Sequence, residues 1–571
     1  MPQVNGKARS ENTYDAIVIG SGISGGWAAK ELCEKGLKTL VLERGRMVEH
    51  LKDYPTMNMD PWDFKYRGEM PREFVKENPV MIKASGIGED TEHFFIKDKD
   101  QPYVQDKPFD WFRGYQVGGK SLIWGRACPR WSWNEFVSPA RDGYGIEWPI
   151  GYDDIAPWYS YVEGFVGISG NKDDVETMPD GNYLPGFGMN CVEHDAAIKI
   201  KKKYGNRYIV EGRWAHLSEP KDIHLKQGRG QCQNRNLCMR GCPYGAYFSS
   251  NSSTLPWAAK TGNLTIRPHS VVHSIVYDEK SGKASGVRII DAESKQEIVY
   301  HARVIFLNAS ALNSNLILLN STSTRFPQGL GNDNGLLGHY IAFHNYRGSI
   351  GGTMNGYEDK YYYGRRPSEC MIPNFRNFGK QDQSFVGGYM AFMGFGRNYG
   401  NPGQTTDTIG ASFKEAMTEP GPWWAYMYIQ GETVPKYESR VYLSKTQKDQ
   451  YGIPILHTDV NYDQNDELLL KDFFTQGAEM FDVMGVKDIN THDKNWAPGR
   501  DIHEMGGCRM GKDPKTSLLN GWNQLHHCQN VFVTDGACMT STANQSPSIL
   551  YMALTARAVD HAVALLKKQE L

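Results

Sequence analysis

Only ten cysteines occur in 571 residues, and the net charge is −2. So sparse a cysteine count cannot build a disulfide scaffold. With 63 basic against 65 acidic side chains, the chain offers no basic footprint for nucleic acid. No apolar run approaches the roughly 18 residues of a membrane-crossing helix, so no transmembrane segment is expected. The first 13 residues, MPQVNGKARSENT, lack both an apolar h-region and a twin-arginine pair. They read as a disordered lead-in and not as a signal peptide, which makes the cytoplasm the default location. The 60 glycines keep no fixed period, which excludes a repeat array.

What is present starts at Tyr14. The stretch Tyr14–Arg44, YDAIVIGSGISGGWAAKELCEKGLKTLVLER, reads as a complete dinucleotide-binding unit. A short buried strand at Ile17–Ile19 runs into Gly20-x-Gly22-x-x-Gly25. A helix carrying Trp27, Ala28, Ala29 and Leu32 follows, then a strand at Thr39–Leu42 that ends in Glu43. Gly20 permits the tight turn, Gly22 lets backbone approach a pyrophosphate, and Gly25 lets helix and sheet pack closely. The helix N-terminus, opened by Ile23 and Ser24, presents N–H groups and a positive dipole end to phosphates. Glu43, with Arg44 beside it, stands where an acid binds ribose hydroxyls. The unit alone leaves open whether the dinucleotide is NAD or FAD.

Residues 51–110 are irregular and polar, and order returns at Arg113–Arg130. Trp148–Gly170 reads as a turn and an amphipathic helix, N-capped by Asp153 or Asp154, with Ile155, Trp158, Tyr159 and Val162 on one face. Val271–Tyr277, Ala284–Ile290 and Ala302–Leu307 form a β-meander. Alternation at Tyr389, Ala391, Met393 and Phe395, and again at Trp424, Tyr426 and Tyr428, predicts an antiparallel sheet with one covered face. Helices at Asp466–Met484 and Ile549–Leu566 and a buried strand at Asn530–Thr534 complete the pattern. The expected fold class is α/β (α+β overall), a Rossmann-like nucleotide domain with an inserted antiparallel-sheet substrate domain. The nucleotide domain takes 11–50, 111–135, 230–345 and 495–571. The substrate domain and its connections take 51–110, 136–229 and 346–494.

Five segments share one resemblance: the opening unit, VGGKS at Val117–Ser121, WPIGYDDIAPWY at Trp148–Tyr159, HEMGGCRMG at His503–Gly511, and NVFVTDGACMTSTANQSPSILYMAL at Asn530–Leu554. Over nearly the whole chain, and in the same order, they resemble the glucose–methanol–choline oxidoreductases. The resemblance implies FAD, a two-domain fold and oxidation of an alcohol to a carbonyl. His503 and Asn544 match the family's catalytic pair. A histidine titrates near neutrality and can accept the hydroxyl proton, and a neutral amide can orient that hydroxyl without competing for it. Gly118 and Gly119 would let main chain pass close beneath the isoalloxazine ring. Ser121, Val271, Asp535 and Gly536 join the expected cofactor contacts, Asp535 near the diphosphate and ribityl chain. Pyranose oxidases link flavin covalently through a histidine two residues beyond the equivalent of Ser121. This chain has Ile123 there, so noncovalent FAD is expected.

Cys232-x5-Cys238-x3-Cys242-Pro243 places three thiols in one glycine-rich loop. Thiolates so spaced can wrap a soft metal centre. Three local ligands favour a 3Fe–4S cluster, unless Cys191 or another residue supplies a fourth; a disulfide with a free thiol, or zinc, stays open. The spacing resembles that of the catalytic subunits of bacterial FAD-dependent glucose dehydrogenases. The resemblance implies a dehydrogenase that passes electrons to a cytochrome or quinone, with a possible small accessory subunit. Export to the periplasm would then depend on a signal carried by that subunit. It also implies a sugar or glycoside substrate, with C3 the carbon chosen by resemblance. Trp424, Tyr426, Tyr428 and the run Tyr361–Tyr363 offer stacking faces. Alternatives are an oxygen-using pyranose or alcohol oxidase with structural cysteines, a gluconate 2-dehydrogenase type of sugar-acid enzyme, and a non-catalytic FAD-binding scaffold.

Overall fold

Ala16, Ile17, Val18 and Ile19 are at most 2% exposed, as a strand covered on both faces must be. Their strand, Thr13–Ile19, lies inside a parallel sheet in the computed structural model, which describes residues 12–361, 369–397 and 409–571. Tyr362, Tyr363 and the first eleven residues of the expected lead-in fall outside that range. The parallel order is Cys528–Val533, Glu297–Leu307, Thr13–Ile19, Thr39–Leu42, Leu264–Arg267. A strand from near the C-terminus is thus two places from the first one.

Glu297–Leu307 serves two partners. Residues 297–301 pair antiparallel with Lys283–Asp291, the meander's middle strand, whereas 301–307 pair parallel with Thr13–Ile19. The helix Ile23–Glu34 packs against Ser548–Lys567. Ala28 and Ala29 share one core with Ala558, Val559 and Ala562, where small side chains let the two helices approach. By length and composition Ser548–Lys567 could cross a membrane, although Arg557 and Asp560 interrupt its apolar residues. In this fold 72% of its most apolar window is buried, as in a core helix.

The helix expected after Trp148 spans Tyr152–Val166, but its N-cap is Gly151 and neither aspartate. Both acids sit in the first turn, and the Gly151 N–H donates to Asp154 Oδ2 at 2.8 Å. An acid three residues into a helix reaches back this way and satisfies a donor that the helix leaves free.

The second sheet runs Lys487–Asp493, Gly348–Met354, Trp423–Glu432, Tyr389–Gly396, Cys370–Ile372, Val210–Glu211, with antiparallel neighbours throughout. Trp423, Ala425, Met427 and Ile429 turn into a core shared with Leu469, Phe473 and Met480 of the helix Gln464–Met484. Asp463 caps that helix by accepting from Asn465 N–H and Asp466 N–H. The period of two then leaves Trp424, Tyr426 and Tyr428 on the sheet's other face, which forms one wall of the functional cleft.

Candidate active site

The glycine turn does different work at each of its three positions. Gly20 has φ +94°, and a Cβ there would stand 2.4 Å from the Asn308 carbonyl oxygen. A Cβ on Gly25 would stand 2.0 Å from the Gly20 carbonyl oxygen, so helix and turn touch through bare backbone. A Cβ on Gly22 would meet nothing within 4 Å. Gly22 is also the N-cap of Ile23–Glu34 and makes no side-chain cap hydrogen bond. Open space before an uncapped helix N-terminus fits a diphosphate.

That space belongs to a cleft of about 1260 Å³, lined by Gly20, Gly22, Ile23, Ser24, Glu43 and Arg44 at one end. Drug-sized ligands occupy roughly 300–1,000 Å³, so the cleft has room for a dinucleotide and a second small molecule. Gly25 supports the turn from behind. The Glu43 carboxylate accepts from Ser21 Oγ at 2.5 Å, Ser21 N–H at 3.2 Å and Gly45 N–H at 3.0 Å, and burial raises its pKa. Ser21 Oγ also accepts from Gly118 N–H at 2.9 Å, which ties the Val117–Ser121 segment to the turn. Ser21 occupies a variable position of the glycine pattern, and the sequence reading overlooked it.

Gly118 is left-handed at φ +96°, with the Asn251 amide filling the place of a side chain. Gly119 and Ser121 line the cleft; Gly118 lies behind them. Asp535 and Gly536 line it as well. Asp535 accepts from Ser314 Oγ at 2.6 Å and Ala537 N–H at 2.9 Å, and burial pushes its carboxyl up to about 6. Val271 is fully buried and off the wall, whereas its neighbours Ser270 and Val272 line it, because strand side chains alternate. Ile123 is on the cleft and carries no nucleophile.

His503 opens on the cleft, as does Ser546, whereas Asn544 is buried and does not line it. Asn544 Oδ1 and the Tyr551 hydroxyl are buried without a protein partner among the described residues. Such atoms are rare unless a ligand or water completes them. His344, absent from the sequence reading, stands between the pair. Its Nδ1 is 2.9 Å from His503 Nδ1, and its Nε2 lies 3.2 and 3.1 Å from the carbonyl oxygens of Thr542 and Ala543, which precede Asn544. His344 N–H donates to Asp501 Oδ2 at 2.7 Å. Burial, with His344 and Lys120 adding to it, holds the His503 pKa well below the ordinary 6.5. No local motif marks His344, which is 159 residues from its partner.

The far wall is aromatic. Tyr428 stacks on Phe392 at 5.2 Å, and Trp424 packs on Tyr426 at 4.9 Å. The Tyr426 hydroxyl donates to Glu369 Oε1 at 3.0 Å and the Tyr428 hydroxyl to Glu369 Oε2, so a carboxylate sits on the wall. Tyr361, the described member of the tyrosine run, also lines the cleft.

Cys238 lines this cleft and, with Cys232, Cys242 and His216, a small adjoining cavity. Each of the ten cysteines is free, so the disulfide reading fails here. Among the described residues, the three sulfurs are not all within 4.8 Å of one another. Cys191 is no fourth member: it opens the helix Cys191–Tyr204 and packs with the second sheet's core. The local alternative is His216, whose Nε2 is 3.8 Å from Cys238 Sγ. Arg126 and Arg229 are 8% and 1% exposed, and neither has a carboxylate ion-pair partner among the described residues. Arg126 packs over the Tyr247 ring and against Met239; Arg229 binds four carbonyl or amide oxygens. Two buried cations without counter-charge favour an anionic group in this loop.

Residues 14–344 match the N-terminal part and residues 435–555 the C-terminal part of the GMC oxidoreductase family. The chain is 26% identical to 2-methyl-1,2-propanediol dehydrogenase of Mycolicibacterium austroafricanum, over 97% of this chain and 95% of that one. It is 25% identical to the fructose dehydrogenase large subunit of Gluconobacter japonicus, over 96% and 97%. Among solved structures, a formate oxidase variant from Aspergillus oryzae aligns with a TM-score of 0.61 at 12% identity, over 98% of this chain and 99% of that one.

Proposed function

The chain belongs to the GMC oxidoreductase family, FAD-dependent enzymes that oxidise alcohol and sugar hydroxyls, and from that premise we propose a sugar or glycoside dehydrogenase with an iron–sulfur exit for electrons. Gly20, Gly22, Ile23, Ser24 and Glu43 would hold the FAD diphosphate and ribose, with Asp535 and Gly536 at the ribityl chain. When bound, FAD supplies a two-electron acceptor for the hydride of a carbinol C–H. His503 accepts the hydroxyl proton. Asn544 orients the hydroxyl through its side-chain amide, a neutral group that can donate to the hydroxyl oxygen and leave the proton to His503. Trp424, Tyr426 and Tyr428 offer apolar faces to a sugar ring, and Glu369 offers acceptors to its hydroxyls. C3 is the carbon proposed, on family resemblance.

One observation carries the dehydrogenase reading over the oxidase: Cys238 borders both the cofactor cleft and the cavity of the other two thiols. Cys232, Cys238 and Cys242 would hold a 3Fe–4S cluster, which handles electrons one at a time and suits a protein or quinone acceptor. Arg126 and Arg229 would offset its negative charge. An accessory subunit, and a periplasmic location gained through it, fit the same reading; the relative from Gluconobacter is itself named a large subunit.

The test is an anaerobic screen of neutral sugars, glycosides and sugar acids for flavin bleaching, with NMR of the product. Bleaching by a neutral glycoside that yields a 3-ketone is the expected result. Bleaching only by sugar acids or simple alcohols would displace it, and peroxide formed at the turnover rate would restore the oxidase. Because Ile123 carries no nucleophile, acid precipitation should release all the flavin into a yellow supernatant. Flavin retained in the pellet would reveal a covalent link elsewhere.

A further inference from the structure

His344 has a donor requirement that decides the protonation of its neighbour. Its Nε2 faces two carbonyl oxygens, of Thr542 at 3.2 Å and Ala543 at 3.1 Å. Carbonyl oxygens only accept, so Nε2 carries hydrogen. His344 is fully buried, and that burial pushes its pKa down to about 4. The ring is therefore neutral at working pH, with a single N–H, and its Nδ1 holds a lone pair.

That lone pair points at His503 Nδ1 from 2.9 Å, with the two rings at 90°. Two lone pairs cannot share so short a contact; one nitrogen must donate, and only His503 has the hydrogen to give. The neutral His503 ring then bears its hydrogen on Nδ1 and leaves Nε2 free. His503 lines the cleft, so Nε2 is the ring nitrogen left to meet a substrate hydroxyl.

We propose that His344 is the positioning residue that holds His503 in its Nδ1–H tautomer and presents Nε2 as the proton acceptor. This rests on His503 being the base. After the proton arrives on Nε2, the Nδ1–H···Nδ1 bond becomes charge-assisted and strengthens. A carboxylate at position 344 would also fix the tautomer, yet its charge would draw a proton onto His503 in the resting enzyme. A neutral imidazole orients the base without filling it. Its second contact, to the carbonyls at 542 and 543, also fixes the backbone that leads into Asn544. One buried ring thereby sets the relative placement of both members of the pair.

Three measurements test this. The first uses wild-type enzyme labelled with 15N-histidine, in which the expected His503 signals are a protonated Nδ1 and a bare Nε2. A bare Nδ1 overturns the proposal whatever the variants do. The second is anaerobic stopped-flow reduction with the best sugar of the screen. His344→Leu is expected to slow the limiting rate about 10–100-fold, as loss of a partner that orients a working histidine does elsewhere, with little change in sugar affinity. The third is rescue. His344→Gln, whose amide donates at one atom and accepts at the other, should recover most of that rate. His344→Leu reducing flavin at the wild-type rate, with normal FAD content, would overturn the proposal. If His503→Ala is slow while His344→Leu is not, only the positioning role fails; if His503→Ala is itself unimpaired, the base assignment fails first. Should His344→Leu not fold, the wild-type 15N signals and the glutamine variant decide.

Discussion

Anaerobic His503→Ala enzyme, loaded with FAD, is expected to reduce its flavin with sugar about 10²–10⁴-fold more slowly than wild type. At about 1.4 kcal/mol per factor of ten, this is about 3–6 kcal/mol of lost barrier reduction. The hydroxyl must lose its proton as its carbon loses hydride, and His503 is the histidine on the cleft wall. Burial holds its pKa well below 6.5, so the base form is filled at neutral pH. So far as His503 governs it, the wild-type reductive rate should therefore stay level through neutrality and fall as acid protonates His503. Stopped-flow flavin bleaching at several pH values measures both effects. A variant that bleaches at the wild-type rate would end the proposed proton transfer.

Replacing Cys238 should do the opposite: it should leave the sugar half of the reaction intact and cut the other half. Cys238→Ser is expected to bleach flavin anaerobically at nearly the wild-type rate, because His503 and the glycine turn are untouched. Iron content and turnover with an external acceptor should both fall by at least the ~10–100-fold that even an outer partner of a bound metal costs. Iron analysis, EPR of the oxidised protein and acceptor-linked assays with the same sugar separate the two halves. Acceptor turnover unchanged in iron-free Cys238→Ser protein would return the cysteines to a structural role. Slowed bleaching alone would instead mean that the loop shapes the flavin cleft, which Asn234, Arg235 and Met239 also line.

Much of the fold was legible because its constraints are local. A strand that must be apolar on both faces, a turn with room for no side chain and a helix of small residues all leave their marks within Tyr14–Arg44. The meander and the alternation at 424, 426 and 428 were legible for the same reason, since strand geometry alone sends alternate residues to opposite faces. Capping was read less well. Either aspartate at 153 or 154 is a good N-cap by type, yet Asp154 acts by reaching back to Gly151. Val271 shows a related limit: the strand was placed, but which of its residues face the cleft depends on register.

By itself the sequence determined the family and the dinucleotide turn, since each rests on motifs written within short stretches of chain, and it offered His503 and Asn544 as a candidate pair. It also placed three thiols in one loop, where spacing is again a local matter. Only the tertiary structure decided that Cys191 stands apart from those thiols, with His216 near them instead, and that Cys238 is the thiol bordering the cofactor cleft. Only the tertiary structure brought His344 to 2.9 Å from His503. The reason is physical. A tautomer is set by what each ring nitrogen touches, and those contacts come from strands and loops about 160 and 200 residues apart, brought together by packing and not by any pattern along the chain.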